Sequence, residues 1–188
     1  MKVLVVIDMQ NDFIDGALGT PEAKAIVPNV KEKIRRAMYN GDVIVFTRDT
    51  HNSDYLSSKE GKKLPVTHCV YRTPGWHIPE ELLPPFTYEN VHVYDKHTFG
   101  YKKLPEKIRE LMQEQFNHYY LPNGFEEIEL VGLCSDICVV SNAMLLKTEF
   151  YNDTEISVDA SCCAGTSPEA HEAALKTMEM CQINVRRG

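Results

Sequence analysis

Apolar residues along this chain follow two alternating rhythms. Short runs rich in β-branched residues, "KVLVVID" (2–8), "VIVFT" (43–47), "VHVYD" (91–95), "EIELVGL" (127–133), "EISVD" (155–159) and "INV" (183–185), read as strands. Between them, apolar side chains recur at helical spacing. "VPNVKEKIRRAMYNGD" places Val30, Ile34 and Ala37 with Met38 on one face, and Gly41 ends it. "LPEKIRELMQEQF" is a second amphipathic helix, and a third is expected from about Asp136 to Lys147. "SPEAHEAALKTMEMC" opens with a serine cap, Ser167, and a proline, Pro168, at the first helical position.

Strands alternating with helices predict a three-layer α/β/α fold: a six-stranded parallel sheet, Rossmann-like, covered on both faces. The 188 residues suit one domain spanning 1–188. In such sheets ligands bind at the carboxyl ends of the strands. The polar residues found there are Asp8, Asp49 with His51, Asp95 with Lys96, and the run from Cys134 to Cys138. Residues 48–90 form a long, polar, proline-containing stretch, the kind that is functional or carries small elements of its own.

Composition narrows the partners. Hydrophobic residues make up 43% and charged residues 25%, as in a soluble globular protein, and the formal net charge of −7 argues against nucleic acid or an anionic membrane. No apolar run approaches the roughly 20 residues that span a bilayer. The opening "MKVLVVIDMQND" is too short for a secretory leader and is interrupted by acids, so a cytoplasmic setting is expected. There the six cysteines would be reduced, which argues against a disulfide between Cys134 and Cys138.

Several residues carry candidate chemistry. Ser135 or Asp136 can cap the helix after the fourth strand, putting Cys138 in its first turn, where N–H groups and the helix dipole favour a thiolate. The alternative is a cysteine packed as a small hydrophobe. Asp8 is either a turn residue or a carboxylate facing the crevice, able to take a thiol proton and pass it to a leaving amine. Lys96 is either a solvated lysine or the cation that holds Asp8 and steadies the thiolate. Asp49 and His51, two apart in extended chain, point to one side. With His68 they suit a divalent ion such as Zn²⁺, with Glu60 as a further ligand; unrelated polar loop residues are the plain alternative.

Taken together these pieces resemble the isochorismatase-like cysteine hydrolases, and among them the nicotinamidases. The family's "D-x-Q-x-D-F" signature is matched by "IDMQNDF" with Asp8, Gln10, Asp12 and Phe13, its lysine after the third strand by Lys96, and its "G-x-x-x-D-x-C-V" signature by "GLCSDICV". The resemblance implies an Asp8–Lys96–Cys138 triad, and an oxyanion hole made by the backbone N–H groups of Cys134 and Cys138 after a cis Leu133–Cys134 bond. It implies Asp49, His51 and His68, with Glu60, as ligands of a divalent metal, zinc foremost. Phe13 and Gln10 belong to the substrate pocket on this reading. The expected activity is hydrolysis of a small carboxamide, nicotinamide above others, by a homo-oligomer (dimer or tetramer). Two positions depart from the family pattern: Thr50 and Leu64 stand where tryptophans are common. Another small amide, carbamoyl or ureido substrate is the alternative. A non-catalytic binding module would not need the whole triad.

Overall fold

The computed structural model describes residues 1–119 and 124–187. In chain order, β1 (Val3–Ile7) is followed by three helices, α1 (Asn11–Ile14), α2 (Pro21–Ala25) and α3 (Val27–Asn40). Then come β2 (Val43–Asp49), β3 (Val91–Lys96), α4 (Leu104–Tyr119) and β4 (Glu127–Leu133). A single π turn, Ser135–Val139, leads into α5 (Val140–Glu149), followed by β5 (Glu155–Ala164), α6 (Pro168–Met180) and β6 (Asn184–Arg186). The six strands form one sheet in the order β3-β2-β1-β4-β5-β6, and all pairings are parallel. The order reverses between β1 and β4, so the crevice of a doubly wound sheet opens at their carboxyl ends.

The sheet is buried on both faces, which is why its central strands read as nearly unbroken apolar runs rather than alternating ones. Val3, Val5 and Ile7 of β1 join Leu104, Ile108, Val139, Leu146 and Leu175 in one core. Leu4 and Val6 point the other way and pack with Phe13, Val30, Ile34, Phe46 and Val131. Each strand therefore fixes which of its side chains face each helical layer, and a slip of one residue would exchange the two sets.

Several boundaries differ from the sequence reading. β2 runs on to Asp49, and β5 reaches Ala164 past an irregularity opposite Leu130–Gly132. The expected helix at Asp136 is instead the π turn, and neither Ser135 nor Asp136 caps it. The turn's N-cap is Cys134, with no side-chain cap. The Ser135 hydroxyl is taken by His171 Nδ1 at 2.8 Å, and the Asp136 carboxylate accepts from the Thr166 N–H at 2.9 Å. Residues 48–90 carry three short 3₁₀ turns, Tyr55–Ser57, Pro74–Trp76 and Glu80–Leu82, and a parallel bridge between His51 and Val70. Among the described residues no helix is long and apolar enough to cross a membrane.

Gly132 is the position at which β4 most needs a glycine. Its φ is +119°, and a Cβ there would lie 2.1 Å from the Ile7 carbonyl oxygen of the neighbouring strand. Gly132→Ala should therefore cost about 3 kcal/mol or more, between backbone strain and displacement of β1. Thermal denaturation should show Tm falling by roughly 6–12 °C for a chain of this size. An unchanged Tm would mean that the β1–β4 contact is not as tight as described.

Candidate active site

Asp8 follows β1 at the crevice, with a left-handed φ of 47° and no exposure to solvent. Its N–H donates to the Thr47 carbonyl at 3.2 Å, and its Oδ1 accepts from the Thr47 hydroxyl at 2.7 Å. Oδ2 meets the Lys96 ammonium at 2.6 Å but accepts no aligned hydrogen bond. Lys96, at the end of β3, is also buried. Its Nζ lies 3.5 Å from Asp49 Oδ1 and donates to Cys138 Sγ at 3.5 Å. Cys138 sits in the π turn. The Cys134 carbonyl accepts from the N–H groups of Ile137 and Val139, passing over that of Cys138. The Leu133–Cys134 peptide is cis.

Burial governs the protons here. It pushes the Cys138 thiol well above its ordinary value, with the Asp8 and Asp49 carboxylates adding to the effect and Lys96 opposing it. Burial likewise pushes Asp8 upward against the pull of Lys96. Lys96 also suffers from burial, but Asp8, Cys138 and Asp49 outweigh it and keep the ammonium charged. Burial thus works against both the Cys138 thiolate and the Asp8 carboxylate, and the Lys96 ammonium works for both. The helix-terminus argument for a thiolate left out this loss of water, which pulls the other way. The free Oδ2 lone pair of Asp8 is the natural acceptor when the thiol gives up its proton.

Three polar side chains, Gln10, Asn142 and Asp12, hold the frame. Gln10, expected to line the pocket, is fully buried and does not. Its amide donates to the carbonyls of Asp49 (2.9 Å) and Trp76 (2.8 Å), and its Oε1 accepts from the Asp49 N–H (2.7 Å). Asn142 ties the π turn to the loop after Lys96, donating to the Cys138 carbonyl at 2.8 Å and accepting from the Tyr101 N–H at 2.9 Å. Asp12 accepts from the Cys69 N–H at 2.7 Å and so fixes the chain next to His68. Gly75 leaves room for that carboxylate: a Cβ would lie 2.1 Å from its Oδ2. These partners lie up to 66 residues apart in sequence, so spacing alone does not reveal them.

Asp49, His51, Glu60 and His68 converge, each offering a ligand atom within 4.8 Å of the others. His51 joins the chain beside Val70 through the parallel bridge, which brings His68 back to the end of β2. His51 Nε2 lies 2.9 Å from Asp49 Oδ2 and 3.8 Å from Glu60 Oε1, yet it is buried without an aligned hydrogen bond. The His68 Nδ1–H donates to the Val66 carbonyl at 2.8 Å, which turns the Nε2 lone pair toward Asp49 at 3.6 Å. Tyr55 packs against both imidazoles, with ring centroids 4.5 and 4.9 Å away. Two imidazoles and two carboxylates with an orphaned nitrogen between them fit a divalent ion.

A cavity of about 320 Å³ joins these two centres. Cys134 and Cys138 line it, as do Asp49, Glu60 and His68. Phe13 lines it as expected, 5.5 Å from the His68 ring. All six cysteines are free.

The isochorismatase domain family matches residues 2–187, so the chain belongs to the isochorismatase family and is a hydrolase. It is 23% identical to the nicotinamidase of Saccharomyces cerevisiae, over 98% of this chain and 99% of that one. Its structure is similar to that of the pyrazinamidase of Pyrococcus horikoshii in complex with zinc, with 27% identity, a TM-score of 0.78, and 100% and 99% of the two chains covered. It is also similar to the N-carbamoylsarcosine amidase of Thermoplasma acidophilum, with 25% identity, a TM-score of 0.74, and 99% and 95% covered.

If Asp12 holds the His68 segment as the geometry indicates, Asp12→Ala should weaken binding of a divalent ion by about tenfold, at the low end for supports of a ligand shell. Calorimetric titration with Zn²⁺ measures this directly. Affinity equal to that of the parent chain would show that the Cys69 contact does not set the position of His68.

Proposed function

We propose that the chain is a cysteine amidohydrolase that converts nicotinamide to nicotinate and ammonia through a thioester on Cys138. The observation that carries this reading is the shared cavity, lined at once by the Cys138 thiol and by a metal-ligand set. A divalent ion held by Asp49, His51, His68 and Glu60, zinc foremost because the Pyrococcus relative holds it, supplies a Lewis-acidic anchor for a ring nitrogen. The chain's own residues do the remaining work. Phe13 offers a face for the ring.

The steps follow from the proton balance. As the Cys138 sulfur adds to the carboxamide carbon, its proton passes to Asp8. The resulting oxyanion takes hydrogen bonds from the Cys134 and Cys138 N–H groups. Collapse breaks the C–N bond, and ammonia leaves with the proton from Asp8. A water molecule then gives a proton to Asp8 and attacks the thioester. The second collapse expels the sulfur, which regains its proton from Asp8, and the released carboxylic acid ionises to carboxylate in solvent. Throughout, Lys96 stays charged beside Asp8, which accepts a proton and then donates it in each half-reaction.

The likeness to the Thermoplasma amidase supports a second reading, in which the same triad acts on a carbamoyl, ureido or other small amide. The free cysteines and the nucleophilic thiol suit a reducing, cytoplasmic setting. The family resemblance supports a homo-oligomer.

Two experiments test the assignment. Cys138→Ala should lower ammonia release by at least about four orders of magnitude, as loss of a catalytic nucleophile does, while circular dichroism shows the parent fold. Near-normal turnover would end the covalent mechanism. Removing the ion with a chelator should raise KM for nicotinamide by at least about tenfold, the worth of one modest contact, yet leave Cys138 open to alkylation by iodoacetamide. Benzamide, which lacks the ring nitrogen, should be a far poorer substrate than nicotinamide and insensitive to the chelator. Equal turnover of the two amides would favour the second reading.

A further inference from the structure

The proposed reaction fixes two points of a pyridine carboxamide, its carbonyl carbon at Cys138 and its ring nitrogen at the Asp49–His51–Glu60–His68 set. Both points lie toward one side of the ring, flanking C2. The ring carbon that faces away from both is C5. What remains of the cavity lining is largely apolar and includes Leu18, Leu64 and Phe99. Leu64 is 38% exposed and Phe99 49% exposed, so both retain apolar surface that a ligand in the cavity can cover.

Neither sits on loose chain. The Leu64 N–H donates to the Glu60 carbonyl at 2.8 Å, and its own carbonyl accepts from the Tyr55 hydroxyl at 3.0 Å. Tyr55 in turn packs on both metal-set imidazoles. The Phe99 carbonyl accepts from Asn142 at 3.3 Å, and Asn142 is the residue that also grips the Cys138 carbonyl. The two apolar groups are thus held at fixed positions relative to the reacting sulfur and the metal set. Burying them beneath a ligand would recover hydrophobic free energy that their exposure forgoes. A cavity of about 320 Å³ also falls within the range that encloses ligands larger than a single ring.

We propose that Leu18, Leu64 and Phe99 form an apolar subsite, and that the substrates taken best are pyridine carboxamides carrying a short alkyl group at ring position 5. This rests on the nicotinamide reading and names the substrate class for the same site.

The test compares kcat/KM for ammonia release from nicotinamide, 5-methylnicotinamide and 5-propylnicotinamide on the metal-loaded enzyme. Each added carbon should raise kcat/KM by about three- to fourfold, the transfer value of one methylene, mainly through a lower KM. Leu64→Ser and Phe99→Ser should each pull the propyl-to-unsubstituted ratio back toward one. A folding defect would lower both rates together and leave that ratio alone, so the ratio reports the subsite. A parent-enzyme ratio at or below one, with nicotinamide still hydrolysed, would overturn the subsite and leave the nicotinamide reading standing. Ratios unmoved in both variants would also overturn it. No ammonia from any of the three compounds would defeat both readings.

Discussion

A buried ammonium with carboxylates on two sides is the constraint on which the rest of this site depends. Lys96 has no water to solvate it, and an isolated charge so placed would be prohibitively costly. It is tolerated because Asp8 Oδ2 stands 2.6 Å away and Asp49 Oδ1 3.5 Å away. That requirement sets the register of three strand ends. Asp49 pairs with Lys96 across β2 and β3, and Ile7 pairs with Thr47 across β1 and β2, which leaves Asp8 over the Thr47 hydroxyl. Cys138 reaches the same ammonium from the far side of the switch point. Asp49 lies both beside the Lys96 ammonium and among the four residues that converge as candidate metal ligands, so the two centres share one carboxylate.

From this follows a division of labour between the side chains proposed to react and those that hold them. The central strands are buried on both faces and cannot move without repacking two cores. Segments off the sheet need separate anchoring. Gln10 makes three hydrogen bonds to backbone groups at Asp49 and Trp76, Asp12 secures the chain beside His68, and Asn142 secures the π turn. A site held to fractions of an ångström depends on such supports as much as on the groups that touch substrate.

How much of this was legible in the sequence follows from the range over which each signal acts. The sheet could be read because burial on both faces leaves unbroken β-branched runs, and Asp8, Lys96 and Cys138 could be read because polar residues at the ends of such runs face the crevice. The Asp49–x–His51 spacing was legible for the same local reason. Gln10 was misplaced because its partners are backbone groups brought near only by folding. The π turn was read as the first turn of a helix because apolar spacing does not distinguish the two. The helix terminus argues for a charged sulfur, and the burial that opposes it is a property of the packed site that spacing does not show. Thr50, one of the positions that departs from the family pattern, takes the Trp76 indole N–H at 2.9 Å and so serves the frame, whereas Leu64, the other, lines the cavity.

The central claim is that carbon–nitrogen cleavage passes through sulfur at Cys138. It is tested most directly by acid-quenching the enzyme during turnover of nicotinamide and locating any adduct by peptide mass spectrometry. The account predicts a nicotinoyl thioester on the peptide carrying Cys138, absent from the Cys138→Ala chain and lost on treatment with hydroxylamine. Steady ammonia release under conditions that trap no adduct, or an adduct on any of the other cysteines, would contradict it.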